Sequence, residues 1–433
     1  MKLMYVGGPT PEALESIGIS NQKSTGGGWA SSLISIIKNN SNYEIAYLFY
    51  WHNLKEFTIK KHNNVIYYAL PLRSTEDHLT ISDYKYLQKA YTSFLPDIVH
   101  IFGTERKKTL DMLDIAGSDK CIISITGLVS ICEKHYLGGI DSRYLFLPSF
   151  NDFVRKMSPS QQKRQFKKLG KYEIESIKKS KYVFGRTTWD YACINQFNPN
   201  ISYFHCGEVL RPIFYDRQWN LENVQRHSLF VSQGSYPLKG LHKLFEALPI
   251  IISKYPDVHL YIAGPNIVSK KSFKDIIKRT TYGRYLRKII RKNNLENNIT
   301  FLGPISDTEM CERYLSTHVF VCPSLIENSS NALGEAMLLG VPCIASCVGG
   351  MQDLIKDRVD GFLYPFDEPY MLAHYICALF ENNELACDIS NNARKNALKT
   401  YDKDTIIRKT LAAYDKIIGY NKKGNDNNAK QSS

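Results

Sequence analysis

Short apolar runs alternate with amphipathic stretches along most of the chain. Lys2–Val6, Tyr43–Tyr50, Val65–Leu70, Asp97–Phe102 and Cys121–Ile125 read as strands, with helical spacing of apolar residues over Asp83–Phe94 and Glu105–Ala116. Runs that are apolar on both faces suit a parallel sheet covered by helices, so the pattern predicts an α/β, doubly wound architecture. After Tyr182–Gly185 and the stretch 203–211 the alternation begins again. Leu229–Ser232, Val258–Ala263, Ile299–Leu302, Val319–Cys322, Pro342–Ser346 and Gly361–Tyr364 read as strands, and Met371–Phe380, Leu385–Leu398 and Thr405–Ile418 as helices. Two arrays imply two domains, 1–211 and 227–400, joined by a linker at 212–226. A helix at 401–418 follows, and then an Asn-, Lys- and Ser-rich tail, 419–433, whose composition predicts disorder.

The densest stretch is VFVCPSLIENSSNALGEAMLLGVPCIASCVGG, beginning at Val319. Pro323 and Ser324 end a strand, Ser329 or Ser330 can cap a helix over Asn331–Leu339, and Gly340 sits where a C′ glycine stops one. Ala332, Leu333, Ala336 and Met337 form the apolar face of that helix. Loops after parallel strands present backbone N–H groups and positive helix ends, which suit a diphosphate. Glu327 and Glu335, with seven residues between them, suit the hydroxyls of a sugar or a ribose instead. A diphosphate flanked by two polyols is a nucleotide-sugar.

The composite P-S-x-x-E-x-x-x-N-A-x-x-E-A-x-x-x-G-x-P runs unbroken from Pro323 to Pro342 and resembles the donor site of retaining glycosyltransferases of family 4. The family's following G-G-x-x-E appears as Gly349, Gly350 and Asp353. The resemblance implies the GT-B fold, two Rossmann-like domains facing a central cleft, with the helix at 401–418 crossing back to the first. It implies transfer of a hexosyl or N-acetylhexosaminyl group, with retention, from a nucleotide-sugar (a UDP-sugar favoured) to a saccharide or lipid-linked acceptor, in synthesis of a surface polysaccharide such as a capsule or exopolysaccharide. Glu327 would hold the transferred sugar, Glu335 the ribose, and Lys239, matching the family's K-G, the diphosphate. Gly234 stands where the family has arginine, so a cation is missing there, and Arg186 could supply it. The helix start at Ser329, Asn331, Ala332 and Leu333 would meet the phosphates, and Pro304 lies near the expected base site. No metal or other cofactor is implied, and no DxD-type motif is present on a loop that could use one.

Candidate acceptor-side residues fall in the first array. Gly27 and Gly28 open a helix over Trp29–Lys38 and fit either a ligand-facing loop or a merely flexible one. Thr126 and Gly127 stand where the family often carries histidine; His135, in a polar loop, is either its substitute or a surface residue. Arg186, Glu208 and Arg211 end strands and either line the cleft or fix a loop.

Composition narrows the rest. The chain has 433 residues, 43% hydrophobic, with no apolar run long enough to span a bilayer and no apolar leader in MKLMYVGGPT, so a cytoplasmic protein is expected. Ten scattered cysteines without a CxxC predict small core residues and no zinc site. The net charge of +13 asks for an anionic partner. Basic segments at 155–181 and 272–293 either meet an anionic membrane face or lie as surface helices on the domain. No nucleic-acid-binding motif accompanies the charge, and no nucleic-acid partner is expected. A nucleotide-sugar epimerase of the same fold and a catalytically idle sugar-binding protein are the alternatives.

Overall fold

The computed structural model describes residues 1–19, 28–39, 42–52, 54–72, 81–146, 148–155, 157–269, 277 and 279–431. The chain forms two compact units. The first comprises Met1–Ser130, Lys168–Arg211 and Tyr401–Ser433, the second Ile131–Lys167 and Pro212–Thr400.

The first unit is built on eight strands among the described residues: β1 (Lys2–Gly7), β2 (Glu44–Trp51), β3 (Thr58–His62), β4 (Val65–Pro71), β5 (Ile98–Phe102), β6 (Cys121–Ser124), β7 (Tyr182–Gly185) and β8 (Ser202–His205). Their order is β3-β4-β2-β1-β5-β6-β7-β8, parallel throughout except for the β3–β4 hairpin. Strand β3 is absent from the sequence reading. Its TIKKH pattern is polar because it closes the sheet edge, where lysines discourage further pairing. The turn at Asn63 and Asn64, both with positive φ, is the signal that could have found it. The core joins Tyr5, Tyr47 and Phe49 to Ile406, Tyr414 and Ile417 of the helix Lys403–Gln431. Buried His100 on β5 lies 2.6 Å from the Tyr414 hydroxyl and 2.7 Å from that of Ser124. Burial lowers its pKa to about 3, so it is neutral.

The second unit has six parallel strands among the described residues: β9 (Gln225–Val231), β10 (His259–Ala263), β11 (Ile299–Gly303), β12 (Thr317–Cys322), β13 (Cys343–Ser346) and β14 (Phe362–Tyr364). The order is β11-β10-β9-β12-β13-β14. Connections run outward in opposite directions from β9 and β12. Open α/β sheets bind ligands at the carboxyl ends of the two strands where the order reverses.

Three expectations change. The linker 212–226 is short 3₁₀ turns at Pro212–Phe214 and Leu221–Asn223, and β9 starts already at Gln225. In place of a disordered tail from 419, the helix begun at Lys403 continues to Gln431, with no proline to interrupt it. The segment Ile131–Lys167, expected in the first domain, belongs to the second unit. Its Asp152 carboxylate accepts the Thr281 N–H at 2.5 Å, and its Gly139 carbonyl accepts the Tyr285 hydroxyl at 3.0 Å.

The basic stretch 155–181 is mostly one helix, Pro159–Lys179, that packs its inner side on the protein: Leu169, Glu173, Ser176 and Ile177 are all buried. Glu173 accepts the N–H groups of Val129 and Ser130 at 2.9 Å and the Thr104 hydroxyl at 3.2 Å. Burial outweighs these donors and lifts its pKa to about 7. Among the described residues no helix is long and apolar enough to cross a membrane.

Candidate functional site

The switch point of the second sheet brings together two loops far apart in sequence. The loop after β9 ends in the 3₁₀ turn Pro237–Lys239. The loop after β12 runs from Pro323 to Ser330, where Ser330 caps the helix Asn331–Leu339 by accepting the Leu333 N–H. Lys239 Nζ donates to Glu327 Oε2 at 2.9 Å, the two side chains being 21% and 19% exposed. Burial alone would push the Lys239 ammonium down, but the Glu327 carboxylate overrides it and the net shift is upward. The contact is open to water on one side.

Two glycines fix the Glu327 loop. Gly240 is left-handed (φ +66), and a Cβ there would lie 1.7 Å from the Pro323 carbonyl oxygen. Gly349 (φ +54) presses on the other end, where a Cβ would lie 2.0 Å from the Glu327 carbonyl oxygen. That carbonyl accepts the Gly350 N–H at 3.0 Å, and the Leu325 N–H donates to the Leu238 carbonyl at 2.8 Å. A side chain at either glycine would drive the loop off its seat. Glu327 is thus held by its backbone from the β13 side and by its carboxylate from Lys239.

The remaining predicted donor residues fall around this pair. Ser329, Asn331 and Ala332 are half-buried at the helix start, and Leu333 lies beneath them. Of the two candidate caps, Ser330 rather than Ser329 does the capping. The Ala332 carbonyl accepts the Tyr314 hydroxyl at 2.9 Å, which ties this helix to Asp307–Leu315. Glu335 is 4% exposed, further inside than a group waiting in solvent, and its charge is felt at Cys311. Pro304, exposed, follows β11. Gly234 is buried, and a Cβ on it would meet Leu241 Cδ2 at 2.6 Å. The arginine of the resembled pattern therefore has no room unless Leu241 moves. Sequence reasoning missed Tyr236, whose ring centre lies 5.9 Å from Lys239 Nζ.

The acceptor-side candidates divide between the units. Gly27 lies outside the described residues, and Gly28 begins the helix Gly28–Ile37. In the first unit, Arg186 follows β7 and is buried with Glu208, which follows β8; Nη1 lies 2.8 Å from Glu208 Oε2. Its other Nη donates to the carbonyls of Ile125 and Thr126 at 3.3 and 3.0 Å. Arg186 thereby pins the ends of β6, β7 and β8 together. It is committed to these partners, and the idea of a spare phosphate cation at this position is corrected accordingly. Thr126 and Gly127 are half-buried beside it, as is Arg211 at the end of this segment. His135 belongs to the second unit and ends the helix Val129–His135; burial, then Lys134, lowers its pKa. Of the basic stretch 272–293, residues 272–276 and 278 lie outside the described residues, and the rest centres on the helix Thr281–Lys292.

Residues 214–396 match the family model of glycosyl transferases group 1. The matched segment spans all six described strands of the second unit's sheet and the whole Lys239–Glu327 arrangement. An uncharacterized glycosyltransferase of Methanocaldococcus jannaschii is 28% identical over 203 residues, 47% of this chain and 48% of that protein. The phosphatidyl-myo-inositol mannosyltransferase of Mycobacterium tuberculosis is 26% identical over 196 residues, 44% of this chain and 47% of its own. The chain thus spans about half the length of the curated relatives it matches. Anabaena HepE in complex with UDP-glucose superposes with a TM-score of 0.62 at 17% identity, covering 95% of this chain and 100% of that one. The fold is GT-B, with two Rossmann-like parallel-sheet units.

Proposed function

We propose that the chain is a retaining glycosyltransferase that moves a hexose or N-acetylhexosamine from a nucleotide-sugar to a saccharide or lipid-linked acceptor. The observation that carries this reading is the 2.9 Å Lys239–Glu327 salt bridge on a glycine-clamped loop at the switch point of the second sheet. A diphosphate arriving at Lys239 takes over the ammonium, and Glu327 is released to accept hydrogen bonds from hydroxyls of the transferred sugar. The N-terminus of the helix Asn331–Leu339 adds positive potential beside the phosphates. Glu335 serves the ribose. The bound UDP-glucose of HepE and the mannosyl transfer in the mycobacterial relative's name support a nucleotide-sugar donor, with UDP favoured.

In the reaction the bond from the anomeric carbon to the leaving phosphate oxygen breaks. The acceptor oxygen forms the new bond on the same face, and its proton passes to the departing phosphate. Lys239 stabilises the growing diphosphate charge, so the step needs no metal. A role in surface polysaccharide or glycolipid synthesis follows from the same reading.

The test is thermal stabilisation of the wild type and of Glu335→Ala by UDP-, GDP- and ADP-sugars. A donor at a hundred times its Kd stabilises by about 2.7 kcal/mol. One nucleotide-sugar should shift the wild type, and the shift should shrink in the variant. No shift from any of them sinks the reading. Conversion of the donor's sugar without an acceptor would replace it with epimerisation.

A further inference from the structure

The helix Phe150–Arg155 carries an apolar face that the protein leaves uncovered. Phe150 is 70% exposed, Phe153 71%, Val154 62%, and Met157, just beyond it, 50%. Positions 150, 153 and 154 fall on one side of the helix, and Met157 follows its end. Asp152 lies on the opposite side, fully buried, its carboxylate accepting the Thr281 N–H at 2.5 Å, while the Ser149 N–H donates to Thr281 Oγ1 at 2.9 Å. A buried carboxylate thus anchors the helix and holds the apolar face outward. Solvent-exposed apolar clusters of this kind mark interaction sites.

The helix it is anchored to, Thr281–Lys292, is strongly basic. Arg284, Lys288, Arg291 and Lys292 form an exposed stripe. Arg284 and Lys288 follow Thr281 at three and seven positions, on the side of the helix where Phe150–Arg155 is tied. With Arg279, Arg287 and Tyr144, the stripe lines a concavity on the surface. Asp141 lies 3.7 Å from Lys288 Nζ and is already paired with Arg143, and the Glu296 charge acts on Arg287. Arg287 is 9% exposed; its Nη1 donates to the Val268 carbonyl, and its Nε has no hydrogen-bond partner among the described residues. Burial, and then the Arg291 and Arg279 charges, lower its pKa. Such crowding favours a bound anion.

We propose that this face of the second unit docks on an anionic lipid surface. Phe150, Phe153, Val154 and Met157 enter the boundary between headgroups and acyl chains, and the arginines and lysines of Thr281–Lys292 bind headgroup phosphates. A soluble polyanion would satisfy the cations but leave four apolar side chains in water. A second copy of the chain would cover them while setting one basic stripe close to another. An anionic bilayer answers both halves of the surface.

The experiment is co-sedimentation of the full chain with vesicles of phosphatidylcholine alone and of phosphatidylcholine with phosphatidylglycerol. The wild type should bind the second and not the first. Arg284→Glu with Lys288→Glu should weaken binding by about fivefold or more for each cation removed, and Phe150→Ser with Phe153→Ser should also abolish most of it. Phe153→Trp should show blue-shifted emission on the anionic vesicles. Melting curves of each variant establish that it is folded. Three results would overturn the proposal: no vesicle binding; binding indifferent to the phenylalanine changes and fully competed by heparin, which marks a soluble-polyanion site; or a concentration-dependent dimer lost in the Phe150 and Phe153 variants, which assigns the face to a second copy.

Discussion

Gly240→Ala tests how the Glu327 loop is held. Two costs apply. Gly240 is left-handed (φ +66, ψ 16), which an alanine adopts at about 1–2 kcal/mol. The new Cβ would also sit 1.7 Å from the Pro323 carbonyl oxygen, and real Cβ contacts essentially never fall below 3.0 Å. The obstacle is backbone, not a side chain that can rotate aside, so Pro323 must retreat by more than 1 Å or the 3₁₀ turn must open. Overpacking of this kind adds about 1–3 kcal/mol. Gly340→Ala is the matched control: the same unit and a similar conformation (φ 77, ψ 24), but its nearest neighbour is the Ser390 hydroxyl at 3.1 Å. It should lose little beyond the left-handed cost, about 1–2 kcal/mol, against about 2–5 kcal/mol for Gly240→Ala, which carries both costs. Because Pro323 opens the segment carrying Glu327, transfer should fall about 100-fold, as a 1 Å misplacement of a positioned group can cause. Urea unfolding of the second unit and initial rates at saturating donor give both numbers. Equal losses in the two variants, in stability and in rate, would refute the claim that this contact seats the loop.

Arg186→Ala leaves the buried Glu208 carboxylate without its arginine and should destabilise the first unit by about 3–5 kcal/mol; donor-induced stabilisation of the second unit should stay as it was, and a lost donor response would restore Arg186 to the phosphate site. Lys239→Met removes a charge-assisted contact worth about 1.5–3 kcal/mol and should weaken donor binding by about 10- to 100-fold in titration calorimetry, whereas unchanged affinity would dissociate Lys239 from the diphosphate. Acid should loosen the second unit first. Burial lowers the pKa of His242 to about 4 and of His318 to about 3. Both are neutral when folded and protonate on unfolding below pH ~6.5, so together they remove about 2.7 kcal/mol per pH unit as the pH falls from there toward 4. In the first unit His100 acts the same way, but Glu173, with its pKa raised, takes up its proton in the fold first and adds stability between pH ~7 and ~4.5, roughly cancelling it. Hydrogen exchange at pH 7 and pH 5 should show the second unit opening more, and earlier loosening of the first would contradict this balance.

The donor side was legible because its residues come in one run. The pattern from Pro323 to Pro342 fixes strand, loop, cap and helix by local rules, and Asn331–Leu339 forms with the boundaries read from its pattern. Lys239 could be placed beside it only through the resemblance; the physical reason, the order reversal between β9 and β12, is a property of the sheet. What stayed hidden depends on partners distant in sequence. Whether Arg186 lined a cleft or fixed a loop could not be read until β6, β7 and β8 brought Ile125, Thr126 and Glu208 around it. Nothing in the local sequence of Glu173 or Asp152 marks either as buried. Both are buried because backbone N–H groups from elsewhere need an acceptor there. The β3 edge escaped because its alternation is polar, leaving only the Asn63–Asn64 turn as a clue.

The chain enters and leaves the first unit more than once, and this sets an order of assembly. Ile406, Tyr414 and Ile417, contributed after residue 400, complete a core whose first strand is Lys2–Gly7. During synthesis that core must wait with an open flank until residues beyond 400 have emerged. The second unit needs nothing beyond Thr400 and can close earlier. The part of the protein made first is therefore finished last, and for that interval its parallel sheet stands exposed to wrong partners. A nascent-chain chaperone would find its target in the amino-terminal unit, and a truncation that trims the final helix would injure the opposite end of the sequence.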